Sequence, residues 1–258
     1  MSQSSSSGSA IERLTGVRIV LVRTTHPGNI GAAARAMYTM GLTRLTLVAP
    51  KHSPQHEDAI ARAAGAAHIL DGAKCVATLD EALAGAGLTI GLSARRREFL
   101  GHAVSVHEAA QQAIVQAPQG EVAIVFGTEM SGLTNDELAR CAVAATIPAN
   151  PDYASLNLAA AVQVVAYELR MAATGDVGWS APRYPVATYD EMEGLYAHAQ
   201  RTLTALAFLN PAMPKRLLPR LRRLFARAML EHEEVNILRG ILARVDNLID
   251  ARDARGKR

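Results

Sequence analysis

Three polar stretches mark where this chain could do chemistry. The first, HPGNIGAAARAM (26–37), leaves an apolar run and opens a helix. Gly28 and Gly31 permit a close backbone approach, Asn29 suits an N-cap, and Arg35 rises from a surface of alanines. An arginine so placed can hold a phosphate or a developing alkoxide; an ordinary exposed helix arginine fits the same pattern. The second, VFGTEMSGLTNDEL (125–138), runs through Gly127 and sets Glu129 at the carboxyl end of a strand, where open α/β sheets bind ligands. Thr134 and Glu137 have the T-x-x-E spacing of a capping box, which explains both structurally. In the third, IPANPDYASLNLAAAV (147–162), Ser155 or Asp152 is expected to start a long helix. Tyr153, Ser155 and Asn157 then crowd polar groups around its N-terminus, a place suited to anionic or hydroxyl-bearing ligands. Capping by one of them would still leave Asn157 unexplained.

Other chemistries find less support. The first stretch lacks the G-x-G-x-x-G spacing and acidic partner of a dinucleotide-binding oxidoreductase. Ser131 does not sit in the G-x-S-x-G of a hydrolase elbow. The eight histidines show no pair at metal spacing with carboxylates, so no metal is expected.

The elements that must carry these loops follow from hydrophobic pattern. The runs at 17–23, 45–49, 88–93, 121–126 and 143–148 are apolar almost throughout, and helix-like segments at 29–41, 105–117 and 155–173 alternate with them. Such alternation predicts an α/β domain, a parallel sheet covered on both faces, over residues 16–173. Residues 1–15 read as a flexible tail without the basic start and apolar stretch of a signal peptide. Residues 174–188, with two prolines, two glycines and the single tryptophan, read as a linker. From 189 to 258 a small all-α extension is expected, with helices at 190–209, 219–230 and 234–249, the last turning Val235, Leu238, Ile241, Leu242 and Val245 to one face.

The 258 residues include 48 alanines, so the 49% hydrophobic fraction is built from small side chains. Two cysteines allow no disulfide framework, and no apolar run reaches the length of a membrane span, so a cytoplasmic protein is expected. The net charge of +3 is uneven: residues 183–258 carry +5 and the first 182 carry −2. Within the basic part Arg220, Arg223 and Arg227 recur at i, i+3, i+7 beside Leu217, Leu221 and Leu224. They form either a phosphate-binding ridge or a solvated face paired with Glu231, Glu233 and Glu234.

The segments NIGAAARAM, VFGTEMSGLTNDEL and IPANPDYASLNLAAAVQVVAYEL, in this order, resemble the three motifs of the SPOUT-superfamily RNA 2′-O-ribose methyltransferases. LRRLFARA and NILRGIL in the C-terminal region resemble one branch, the TrmJ-type tRNA (cytidine/uridine-2′-O-)-methyltransferases. The resemblance implies a parallel-sheet SPOUT fold with a C-terminal trefoil knot, and a homodimer acting on tRNA, at the ribose of anticodon-loop nucleotide 32. Its methyl donor would be S-adenosyl-L-methionine, released as S-adenosyl-L-homocysteine. By motif position the donor would be held by Leu92, Ser93, Ala94, Gly127, Ile147, Ala154, Ser155 and Leu156. Arg35 would act in the chemistry, with Asn29, Glu129, Ser155 and Asn157 in support, and Arg35, Arg220, Arg223 and Arg227 would meet RNA. A guanidinium stays protonated, so the implied role of Arg35 is to hold the target phosphate and stabilise the forming alkoxide, not to accept a proton. The rival readings are methylation of another tRNA or rRNA site, and a non-catalytic RNA-binding relative.

Overall fold

The computed structural model describes residues 12–94, 103–175 and 185–256. The chain divides into two compact units, Met1–Ala181 and Pro182–Arg258.

The first unit is built on seven strands: β1 (Val17–Val22), β2 (Arg44–Val48), β3 (Lys74–Val76), β4 (Ala86–Leu92), β5 (Val104–Ser105), β6 (Glu121–Phe126) and β7 (Val143–Thr146). Every pairing is parallel, and the order across the sheet is β3-β2-β1-β6-β4-β7-β5. The α/β expectation therefore holds, and all five apolar runs are strands. β1 is buried at all six positions, as a strand covered on both faces should be. Two later strands enter the interior of the sheet: β6 lies between β1 and β4, and β7 between β4 and β5.

Helices cover the faces: α1 (Pro27–Thr39), α2 (Glu57–Ala63), α3 (Ala67–Asp71), α4 (Leu79–Leu83), α5 (Val106–Gln116), α6 (Asn135–Ala139) and α7 (Leu158–Thr174). α1 packs on α2 and α7, and α5 packs on α7. The small residues of α1 have a packing reason. A Cβ on Gly31 would stand 1.9 Å from the Ala59 carbonyl oxygen, so α1 and α2 meet backbone to backbone. Gly28 likewise lies under the Arg62 side chain. The close approach read from these glycines is thus to α2.

The expected flexible tail, residues 1–15, is corrected over its last four residues, and residues 1–11 lie outside the described residues. Residues 12–15 form a helical turn, and Leu14 is fully buried in the core, where the apolar gain holds that turn down. Most of the expected linker, residues 176–184, lies outside the described residues.

The second unit contains α8 (Tyr189–Ala205), α9 (Leu217–Ala228) and α10 (His232–Gly256). Thr188 and Glu191 form a capping box at the start of α8. Leu195 and Val235 are buried together, with Met192, Phe225, Leu230, Leu238 and Leu242 packed around them. Ile241 departs from the expected face and is 56% exposed, because α10 meets α8 through a narrower seam at 235, 238 and 242. Asp246 fastens the same two helices, accepting a bond from Thr202 Oγ1 at 2.6 Å and meeting His198 Nε2 at 2.9 Å. Among the described residues no helix is long and apolar enough to cross a membrane.

Candidate active site

The sheet brings the first two polar loops together. β1 and β6 are neighbours with Leu21 opposite Phe126, so the residues just beyond both strands must meet. Arg23 turns the chain out of β1 at a left-handed φ of 49°, and its guanidinium bonds the Glu137 carboxylate. Thr134 and Glu137 form the expected capping box of α6. Glu137 therefore does more than cap: it also fixes the exit of β1. Burial would raise the Glu137 carboxyl, but the bonds from Arg23 and Thr134 hold it below the usual carboxylate range.

Glu129 reaches from the β6 loop to the start of α1. One oxygen, Oε1, accepts from the Thr25 amide at 3.1 Å, the His26 amide at 3.2 Å and Asn29 Nδ2 at 3.0 Å. The other, Oε2, accepts from Thr25 Oγ1 at 3.0 Å. Burial alone would raise this carboxyl, yet hydrogen bonds from Asn29, Thr25 and His26 keep it below the usual range. Glu129 is thus a carboxylate committed to holding a turn, and a poor proton acceptor. Thr25 and His26 are site residues that the sequence reading missed; a polar pair at a strand exit was the available signal.

The third loop has farther to travel, since β7 stands three places from β1, about 14 Å at normal strand spacing. Residues 147–157 cross that span and deliver Asn157 to α1. Asn157 Nδ2 donates to Asn29 Oδ1 at 3.1 Å, while Asn157 Oδ1 caps α7 through the Ala159 amide at 2.9 Å. Two expectations are corrected here. The N-cap of α7 is Asn157, not Ser155 or Asp152: its Oδ1 accepts from the Ala159 and Ala160 amides at the start of the helix. The N-cap position of α1 is His26, not Asn29: Pro27 fixes the helix start, which leaves the Asn29 amide to link the loops.

Asn157, Asn29 and Glu129 thus form one continuous hydrogen-bonded chain through all three loops. Arg35 and Ser155 are not part of it. Both are exposed, and neither side chain has a hydrogen bond or ion pair among the described residues. Arg35 lies on α1 six residues beyond Asn29, about 9 Å along the axis.

The residues assigned to a methyl donor lie beyond adjacent strand ends. Leu92 ends β4 beside Ala145 of β7, with Ser93 and Ala94 following; Gly127 follows β6 and Ile147 follows β7. A Cβ on Gly127 would fall 2.0 Å from the Gly132 carbonyl carbon, because the 128–132 turn closes back over it. Ala154 and Leu156 are half-buried, and the backbones of 154–156 have no hydrogen-bond partner among the described residues. Small side chains beside open amides and carbonyls suit the edge of an adenosine, so these residues fit such a ligand. Among the described residues no group of three His, Cys, Asp or Glu side chains could hold a metal ion.

In the second unit Arg220, Arg223 and Arg227 are exposed on α9. Arg220 and Arg227 have no ion pair with Glu231, Glu233 or Glu234 among the described residues. The neighbouring Arg222 behaves otherwise. It bonds both oxygens of Glu193 and lies 4.3 Å over the Tyr196 ring.

A parallel sheet with its interior strand ends gathered under three joined loops defines an α/β protein with a ligand site at the carboxyl edge of the sheet. The SpoU rRNA Methylase family profile matches residues 16–167, and the profile of the tRNA methyltransferase TrmJ C-terminal domain matches 190–257. The chain belongs to the SpoU rRNA Methylase family. A Pseudomonas aeruginosa protein named tRNA (cytidine/uridine/adenosine-2′-O-)-methyltransferase TrmJ is 48% identical over 237 residues, 88% of this chain and 92% of the relative. The crystal structure of TrmJ from Z. mobilis ZM4 superposes with a TM-score of 0.77 at 33% identity, covering 89% of this chain and 98% of that one. A structure described as giving insight into 2-OH methylation of C/U34 on tRNA covers 62% of this chain and 97% of its own, with 28% identity and a TM-score of 0.50.

Proposed function

We propose that this protein transfers the methyl group of S-adenosyl-L-methionine to a ribose 2′-hydroxyl of tRNA, at anticodon-loop position 32. The observation that carries the reading is the bonded chain Asn157–Asn29–Glu129, which assembles all three motif loops at one edge of the sheet. The C-terminal match to a tRNA methyltransferase domain favours tRNA over rRNA.

Leu92, Ser93, Ala94, Gly127, Ile147, Ala154, Ser155 and Leu156 would hold the donor. When bound, it supplies a methyl group already activated by a sulfonium. What the chain must add is in-line placement of the acceptor oxygen and charge where the alkoxide develops. Arg35 suits that task, since its exposed guanidinium is not consumed by an internal partner. Asn29, Glu129 and Asn157 position it by fixing the start of α1, and Ser155 lines the same loop. Arg220, Arg223 and Arg227 supply phosphate contacts.

A second copy of the chain completes this reading. Tyr167 and Met171, one turn apart on α7, are 49% and 48% exposed, an apolar pair that a homodimer would cover. The interior insertion of β6 and β7 agrees with a trefoil knot, and a tRNA substrate agrees with a cytoplasmic location. The test is chemical. Unmodified tRNA incubated with protein and methyl-labelled donor should yield label in alkali-resistant dinucleotides, because a methylated 2′-oxygen cannot attack the adjacent phosphate. Label appearing only in mononucleotides would mean base methylation and would refute the reading.

A further inference from the structure

Tyr153 is left unused by the chemistry above, yet its placement is unusual. Among the large apolar side chains described in the first unit, the two most exposed are Met130 at 96% and Tyr153 at 78%. Both lie on the site loops, one beside Glu129 and the other four residues before Asn157. Tyr153 also projects from a fixed turn: its amide donates to the Asn150 carbonyl at 3.0 Å, and the Asp152 amide donates to Asn150 Oδ1 at 3.1 Å around Pro151. Its phenol has no hydrogen bond among the described residues, so the exposed ring and its hydroxyl are both open to a ligand.

We infer that the Tyr153 ring stacks on the nucleobase of the nucleotide whose ribose is methylated. This rests on the RNA-methylation reading and deepens it. Ser155 and Asn157 follow within four residues at the start of α7, so a ribose at this loop places its base within reach of a ring on the same loop. A planar ring offers affinity to any base without hydrogen-bond readout, and a turn fixed beforehand lowers the cost of ordering it. Tyr153 is therefore a substrate-binding residue that tolerates different bases at the methylated position.

The experiment compares the full-length protein with Tyr153→Phe, Tyr153→Ala and Tyr153→Leu, the last retaining apolar volume without a plane. Each is assayed on unmodified tRNA and on the same tRNA carrying an abasic ribose at the methylated position, with donor affinity measured by calorimetry. Tyr153→Phe should match the parent. Tyr153→Ala and Tyr153→Leu should raise KM for intact tRNA roughly 5- to 150-fold, with donor affinity unchanged. On abasic tRNA the difference between parent and variants should vanish, since the stacking partner is gone. An unchanged KM, a penalty that persists on abasic tRNA, or a matching loss of donor affinity would overturn the inference. Absence of transfer by the parent protein to any RNA would instead overturn the underlying functional reading, and this inference with it.

Discussion

Asn29 donates to Glu129 Oε1 at 3.0 Å through one end of its amide and accepts from Asn157 at 3.1 Å through the other. One side chain in the first turn of α1 thus holds two residues that lie 100 and 128 positions further along the sequence. The side-chain amide offers a donor and an acceptor on one planar group, whereas an ionised aspartate has no donor and leucine has neither.

Asn29→Asp should accordingly be worse than Asn29→Ala. Alanine removes both bonds, at a cost of roughly 1–2 kcal/mol in stability. Aspartate removes the donor and sets a second carboxylate against Glu129. Thermal melts at neutral pH should order parent, alanine, aspartate from most to least stable. Methyl transfer should fall about 100-fold or more in both variants, since small displacements of a positioned group cost that much.

The Glu129 carboxyl predicts an acid limit. Its folded pKa lies below the ordinary carboxylate value, so its contribution to stability is fully present at neutral pH. That contribution is lost as pH falls from the ordinary carboxylate range through the depressed folded value. In Glu129→Gln, Tm should change less between pH 6 and pH 3 (roughly the carboxylate titration range) than in the parent protein. Equal slopes would show that the carboxylate charge contributes nothing there.

The arginines of α9 should divide into two kinds. Replacing Arg220 and Arg227 with glutamine should weaken tRNA binding and lower its salt slope by about 1–2, while the melting of the second unit stays near normal. Arg222→Ala should do the reverse first, costing roughly 1–3 kcal/mol by stranding Glu193 and uncovering Tyr196. Filter binding across a salt series and circular dichroism melts separate the two.

The cysteines make a simple check on the core. Cys141 is buried and its thiol is pushed up to about 12 by burial and by the nearby Glu137 charge, whereas Cys75 is exposed. A disulfide reagent should titrate one thiol rapidly in the native protein and the second only on unfolding.

What the sequence revealed and what it hid follow physical lines. β1, β2, β4, β6 and β7 were legible because buried parallel strands need nearly continuous apolar residues. β3, three residues long and mostly exposed, and β5, only two residues, carry no such pattern; they exist because a neighbouring strand offers hydrogen bonds. The polar loops were legible from their residues, but the division of labour within them was not. Whether Asn29 caps a helix or links two loops depends on Pro27 starting α1 and on Glu129 arriving from β6. Whether Arg222 or Arg223 faces water depends on Glu193 and Tyr196 of α8, about thirty residues away.

The Arg35 guanidinium is the group on which methyl transfer depends most, and a single comparison tests it. Unmodified tRNA treated with donor and either the parent protein or Arg35→Lys would be digested to nucleosides and oligonucleotides and analysed by mass spectrometry, with donor affinity determined in parallel. A 2′-O-methylated nucleoside mapped to position 32 is expected with the parent. Almost none is expected with Arg35→Lys, at unchanged donor affinity. Full methylation by Arg35→Lys, or a methyl group found on a base instead of a ribose, would refute this role of Arg35.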